Sequence, residues 1–473
     1  MAPYIEDSQR VTEGVTASTV KTAADHVLGK TAVLHASLKT APAKAVKGKG
    51  CFIITDDGKE ILDASAGAAV ASIGHGDQRV RDAIMRQLDD IAYCYAPFFT
   101  TDPAEKLCNF LCESTGGEMS RAFVCSSGTE AIEAAMKIAR QYFLELPQPQ
   151  PQRWRYIARH QSYHGNTLGA LTLGGHVGRK APYSPILAGN TTHVSPCYPY
   201  RDQRETESTK DYVRRLAQEL EDEFQRIGPD TVCAFVAETM SGLTLGSVPA
   251  CPGYFAAMRE VCDRHGALLV MDEVMSGIGR TGTLHAWEQE GVVPDLQTVA
   301  KGLGGGYQSI GALLVSKKVI DVLDNGTGTF THSQTYQGHP VACAAAYEVQ
   351  RIIKDDRLLA NVREQGEHLG TLLRKRLAHH PNVGDIRGRG LFYGIEFVKD
   401  KDTKEPFPPA QKVSPLIHKA GMSKYDICVL PGPGVVDGFR GDVIQIAPPY
   451  IISKIEVDML VDRVEKAIKH VLG

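Results

Sequence analysis

Two apolar runs restrict the fold most. TVCAFVAE (231–238) and ALLVMDE (267–273) are strand-length, rich in β-formers, and each ends in a carboxylate. Strands without a polar face need cover on both sides, as in parallel sheets flanked by helices. A helical stretch over Tyr254–Arg264 lies between them. This β–α–β rhythm predicts an α/β fold with a mainly parallel sheet.

The rhythm begins near residue 76. A helical stretch covers Val80–Leu88, and AFVCS (122–126) reads as a strand. TEAIEAAMKIARQYF (129–143) follows as an amphipathic helix with Ile132, Ala135, Met136 and Ala139 on one face. LPQPQPQ (146–152) marks a surface loop. Upstream, residues 1–30 read as a polar arm and Lys44–Gly50 as a basic loop. CFIITDDGKEILDAS reads as a hairpin around Asp-Asp-Gly. After Pro340 come long helices over 341–355 and 357–379, the strand LFYGIEFV, a polar loop, a further helix and a last strand–helix pair. Three regions are expected: an N-terminal arm and hairpin (1–75) packing with the small domain, a large domain (76–339) and a smaller α+β domain (340–473).

With 52 Lys and Arg against 55 Asp and Glu, the net charge of -3 gives no reason to expect a nucleic-acid partner. The apolar runs are too short to span a bilayer. Eleven scattered cysteines and the acids Glu6, Asp7 and Glu13, in place of a presequence pattern, point to reduced thiols and a cytoplasmic location. Cys108 and Cys112 share a helix face, but no second Cys or His pair accompanies them, so no metal site is expected.

Three features carry chemistry. Asp272 closes a buried strand, where open parallel sheets hold their ligands, although such an aspartate can also cap a loop. Lys301 follows the apolar QTVA and precedes GLGGG. A lysine there can snorkel to solvent, but partial burial would make its amine a nucleophile toward an aldehyde. SSGTEA (126–131) joins a strand to a helix. Its hydroxyls and the helix start can hold an anion or simply cap the helix. It lacks the Gly-Lys-Ser/Thr of a nucleotide loop, and Tyr307 stands where G-x-G-x-x-G needs its last glycine, which argues against a nicotinamide-dependent dehydrogenase. Pyridoxal phosphate would use all three: a lysine for its aldehyde, a carboxylate for its ring nitrogen and a cradle for its phosphate.

LLVMDEVMSGIGRTG, followed by DLQTVAKGLGGGY, resembles the class III, fold-type I, pyridoxal-phosphate-dependent aminotransferases of the omega-aminotransferase group. The blocks ILDASAGAAVASIGHG, SYHGNT, TYQGHPVACAAA and IQIAPPYIIS extend the resemblance from about residue 45 to residue 465. It implies a large domain with a mostly parallel seven-stranded sheet and a homodimer with composite active sites. Lys301 would be the Schiff-base lysine and Asp272 the partner of the pyridine nitrogen. Val274 and Tyr163 would flank the ring. Ser127, Gly128 and Thr129 would hold the phosphate, and Thr335 would reach it across the subunit boundary. Glu238 keeps the family glutamate, although Thr239 replaces the proline that often follows. Arg280, His75 and His339 are expected to be structural.

Where relatives acting on α-amino acids carry an arginine, three residues before the Pro-Pro pair, this chain has Gln445. Glutamine cannot supply the charged fork that binds a carboxylate. Arg440 in DGFRGD could serve as a mobile carboxylate binder or be a solvated loop residue. Ala68 and Ala69 suggest room for a bulky amine. The expected activity is amino transfer from a primary amine or omega-amino compound to a keto acid such as pyruvate. The alternative is a racemase or epimerase, aminomutase, decarboxylase or phospho-lyase on the same scaffold.

Overall fold

The computed structural model describes residues 31–473, so the expected arm over 1–30 lies outside the described residues. Residues 31–44 contain no helix or strand, and Val33, Leu34 and Leu38 are exposed there.

A seven-stranded sheet organises the centre of the chain. Across it the strands run Met119–Cys125, Gly311–Ser316, Leu296–Val299, Leu268–Asp272, Val232–Glu238, Arg155–Arg159 and Thr191–Val194. Gly311–Ser316 is antiparallel to both neighbours, and the pairings from Leu296–Val299 to Thr191–Val194 are all parallel.

Side-chain alternation along the two runs that frame the sequence explains why neither face is polar. Phe235, Ala237, Leu269 and Met271 join a core with Leu216 and Phe224 of the helix Thr209–Ile227 and Phe255 and Met258 of the helix Tyr254–Arg264. Ala234, Val236, Leu268 and Val270 join a second core with Ile132, Ala135, Ala139 and Phe143 of the helix Gly128–Glu145. Successive residues thus bury into opposite layers, and a continuous apolar strand is required. Burying each large side chain contributes about 1.5–3 kcal/mol relative to exposure.

Two smaller sheets accompany this one. The hairpin Phe52–Thr55 and Glu60–Asp63 turns at Asp56-Asp57-Gly58 and is extended by a parallel pairing of Ile427–Cys428 with Leu62 and Asp63. The expected basic loop at 44–50 is instead largely a strand, Ala45–Lys49, at the edge of that sheet. Gly48 has no side chain to meet the His75 ring, and Gly50 and His75 exchange backbone hydrogen bonds of 3.0 and 2.9 Å. Pairing overrides the loop-like composition.

The third sheet is antiparallel, in the order Val383–Arg389, Phe392–Phe397, Asp442–Ile446, Leu430–Pro433. The helix Leu358–Leu377 packs against the last helix, Lys454–Leu472, whose start is fixed by a Ser453/Glu456 capping box. His339 caps the helix Pro340–Asp355, and His75 Nε2 lies 3.1 Å from Asp63. Arg280 is buried, donates to the carbonyls of Leu391 and Pro448, and stands 4.5 Å over the Tyr450 ring. No helix of the described residues is long and apolar enough to cross a membrane.

Candidate active site

Parallel register brings three strand ends level. Glu238 pairs with Asp272, and Asp272 with Thr298, at the carboxyl edge of the central sheet. Beyond Thr298 the strand Leu296–Val299 ends and Lys301 starts a short 3-10 turn with φ of 45°. A left-handed lysine is uncommon and is held only where its surroundings fix it. Here the Gly304 and Gly305 amides donate to the Lys301 carbonyl at 3.2 and 3.1 Å.

A cavity of about 630 Å³ opens over this edge. It is lined by nine of the residues singled out from sequence: Ala68, Ser127, Gly128, Thr129, Tyr163, Glu238, Asp272, Val274 and Lys301. Burial draws the Lys301 ammonium down to about 8, against the opposing pull of Asp272 and Glu238.

Asp272 is 4 % exposed and held at both oxygens. Oδ1 accepts from the Val274 amide at 2.9 Å, and Oδ2 lies 2.8 Å from His164 Nδ1. His164 is buried, and its Nε2 has no partner among the described residues. Glu238 accepts from the Tyr163 amide and from the buried Arg159 guanidinium, each at 3.1 Å. Next to Asp272, the fully buried Glu273 accepts from Thr239, Gln297 and the amides of Ala286 and Trp287. Burial nevertheless raises its carboxyl to about 7.

The anion side of the cavity is the start of the helix Gly128–Glu145. Gly128 and Thr129 are its first residues, so their amides have no acceptor within the helix, and its positive dipole end faces the cavity. Ser127 caps the helix, accepting from Glu130 N at 3.3 Å. Val274 packs against this turn: a Cβ at Gly128 would stand 2.8 and 2.9 Å from its methyls. Thr129 reaches into space left by Gly165, which has φ of +134° and no room for a side chain.

Three of the singled-out residues lie elsewhere. Ala69 is buried with Met240, Phe392 and Ala447 and does not line the cavity; the left-handed backbone at residues 66, 67 and 69 turns it away while Ala68 stays on the wall. Arg440 pairs with Asp437 at 2.6 Å in an exposed turn outside the cavity. Thr335 is exposed, and its carbonyl accepts from Tyr93 Oη at 2.9 Å. Gln445, three residues before the Pro-Pro pair, is fully buried and donates to Ser247 Oγ at 2.9 Å.

Other site residues escaped the sequence reading. His164 sits inside the SYHGNT block, one residue after Tyr163, and Arg159 ends the apolar run YIAR. A cation closing a buried strand is the sequence signal for Arg159. Arg179 also lines the cavity, along with Met240, Leu243, Met275 and Leu430, and nothing in the pattern of HVGRK points to it.

Pyridoxal phosphate is the group to which these residues are fitted. The desolvated Lys301 amine suits its aldehyde, the buried Asp272 its ring nitrogen, and the helix start its phosphate.

The class-III aminotransferase family model matches residues 34–468. The chain is 49 % identical over 441 residues to an aminotransferase of Gibberella zeae, covering 93 % of this chain and 86 % of that one. It is 46 % identical over 454 residues to an uncharacterized aminotransferase of Schizosaccharomyces pombe, covering 96 % and 98 % of the two. Among solved structures, an amine transaminase from an uncultivated Pseudomonas species in its PLP-bound form superposes with a TM-score of 0.87 at 29 % identity, covering 94 % of this chain and 98 % of that one. The fold is thus that of the fold-type I transaminases, and the chain belongs to the class-III aminotransferases, enzymes of amino-group transfer.

Proposed function

We propose that this enzyme transfers an amino group from a primary amine or omega-amino compound to a keto acid such as pyruvate, with pyridoxal phosphate held in the cavity over the sheet edge. One observation carries the reading: a desolvated Lys301 amine shares that cavity with a fixed buried carboxylate, Asp272, and an open helix start. When bound, the cofactor supplies an electron-accepting ring that stabilises negative charge on the substrate carbon. Asp272 keeps the ring nitrogen protonated, while Tyr163 and Val274 confine the ring faces. Ser127, Gly128 and Thr129 hold the phosphate, and Glu238 positions Tyr163 through its amide. The Lys301 amine, in its unprotonated form, takes the proton from the amine-bearing carbon of a substrate lying in the cavity.

The wall away from these groups is formed by Ala68, Val70, Met240, Leu243, Met275 and Leu430. It favours a donor with an apolar body over a small polar α-amino acid. The buried Gln445 supports the same preference, since it presents no charge to an α-carboxylate.

In this reading the active unit is a homodimer, with Thr335 reaching the phosphate of the other subunit. An exposed aromatic surface around Thr335 supports it: Tyr93, Tyr95, Phe98 at 75 % exposure, Phe99 at 63 % and Tyr336. Patches of this kind mark association surfaces. Sedimentation of wild type at the mass of two chains, and of Phe98→Asp at a smaller mass, is expected; a wild type at the mass of one chain contradicts it.

Purified enzyme given single amines and pyruvate should form alanine, whereas a racemase would form none. Lys301→Ala should keep its fold by circular dichroism and lose alanine formation by about 10²–10⁴-fold. Full activity of that variant would contradict the reading.

Capture of pyridoxal phosphate by cofactor-free enzyme should depend on the neutral amine. Its rate, followed by absorbance, should rise with pH and level off above about 8, the value to which burial lowers Lys301. A rise continuing to the ordinary lysine value of 10.5 would show that the amine is not desolvated.

A further inference from the structure

Besides Lys301, the residues lining the cavity include one further cation, Arg179. Its guanidinium carbon stands 4.9 Å over the Tyr163 ring, and among the described residues it takes part in no ion pair. Most other arginines bordering this region are already committed: Arg159 to Glu238, Arg387 to Glu396 and Asp385, and Arg440 to Asp437.

The turn that carries Arg179 is firmly held. His176 Nδ1 accepts from the Arg179 amide at 3.3 Å. Lys180 Nζ donates to the carbonyls of Thr172 and Gly174, both at 2.9 Å. Gly178 lies flush against the Gly438 backbone with no room for a side chain. The guanidinium lies over the Tyr163 ring, and its N–H groups make no hydrogen bond among the described residues. The same cavity is also lined by Met240, Leu243 and Leu430.

An exposed, planar cation at the rim of the cavity, with no ion-pair partner among the described residues, suits a carboxylate, which it can bind through two parallel hydrogen bonds. We infer that Arg179 receives the substrate carboxylate, both of the keto-acid acceptor and of omega-amino carboxylate donors. Gln445 carries no charge for this role, and Arg440 pairs with Asp437 outside the cavity. The inference rests on reading the cavity as the site of amino transfer. It also gives the acceptor a docking point separate from the phosphate cradle, so that donor and acceptor share one charge-reading position in turn.

The test uses holoenzyme of wild type, R179K and R179M. Single-turnover reaction of the bound cofactor, followed by absorbance, compares 4-aminobutyrate with 1-phenylethylamine, which has no carboxylate. Titration of the cofactor band with pentanoate measures carboxylate binding without turnover. The preference for 4-aminobutyrate over 1-phenylethylamine should fall about 10- to 100-fold in R179M, with pentanoate affinity falling in parallel and R179K intermediate. If both amines lose equally, Arg179 acts only by supporting Tyr163 and the inference is overturned. Unchanged pentanoate affinity in R179M overturns it as well. Should wild type react with no amine, the amino-transfer reading falls, and the pentanoate titration still decides for or against Arg179.

Discussion

The site depends on keeping one ammonium group out of water. Lys301 stands at the end of a buried parallel strand, and desolvation outweighs the attraction of Asp272 and Glu238, lowering it to about 8. In the cofactor-free chain, holding that charge opposes folding at neutral pH. The unfolded lysine keeps its proton up to its ordinary 10.5, so it binds more protons than the folded one between about pH 8 and 10.5, and stability rises with pH across that window. Below pH 8 the cost is present in full. Such a cost is retained where it serves chemistry, and in the proposed function that chemistry is the reaction of this amine with an aldehyde.

The surrounding architecture fixes what this amine faces. Parallel register sets Glu238, Asp272 and Thr298 side by side, and each carboxylate is immobilised by its own partners: His164 and the Val274 amide for Asp272, Arg159 and the Tyr163 amide for Glu238. Breaking a buried pair such as Arg159–Glu238 leaves an uncompensated charge, which typically costs about 3–5 kcal/mol. The cavity floor is therefore rigid, and the strained turn at Lys301 is held by the glycines that follow it.

The sheet was readable because TVCAFVAE and ALLVMDE carry their two-sided burial in composition: Phe235 and Val236 enter opposite layers, and both layers are apolar. The helix after SSGTEA was equally plain, since its start, its periodicity and its Pro-rich end agree. Lys44–Gly50 was less so. Its lysines and glycines look like a loop, and only pairing at the sheet edge makes most of it a strand. Side-chain direction was hidden as well. Adjacent Ala68 and Ala69 have the same composition, yet left-handed backbone sends one to the cavity and the other to a separate core. Long-range partners such as His164 to Asp272 and Arg159 to Glu238 have no local signature, because residues 108 and 79 positions apart meet only through strand order. Arg440, expected either as a mobile carboxylate binder or as a solvated loop residue, pairs with Asp437, three residues earlier, in an exposed turn.

The central claim is a covalent bond between a pyridoxal aldehyde and one particular nitrogen. Reduction of the holoenzyme with borohydride, followed by proteolysis and peptide mass spectrometry, tests it directly. The account predicts a single pyridoxyl label on Lys301. A label on another lysine, or none on enzyme that carries the cofactor, would contradict it.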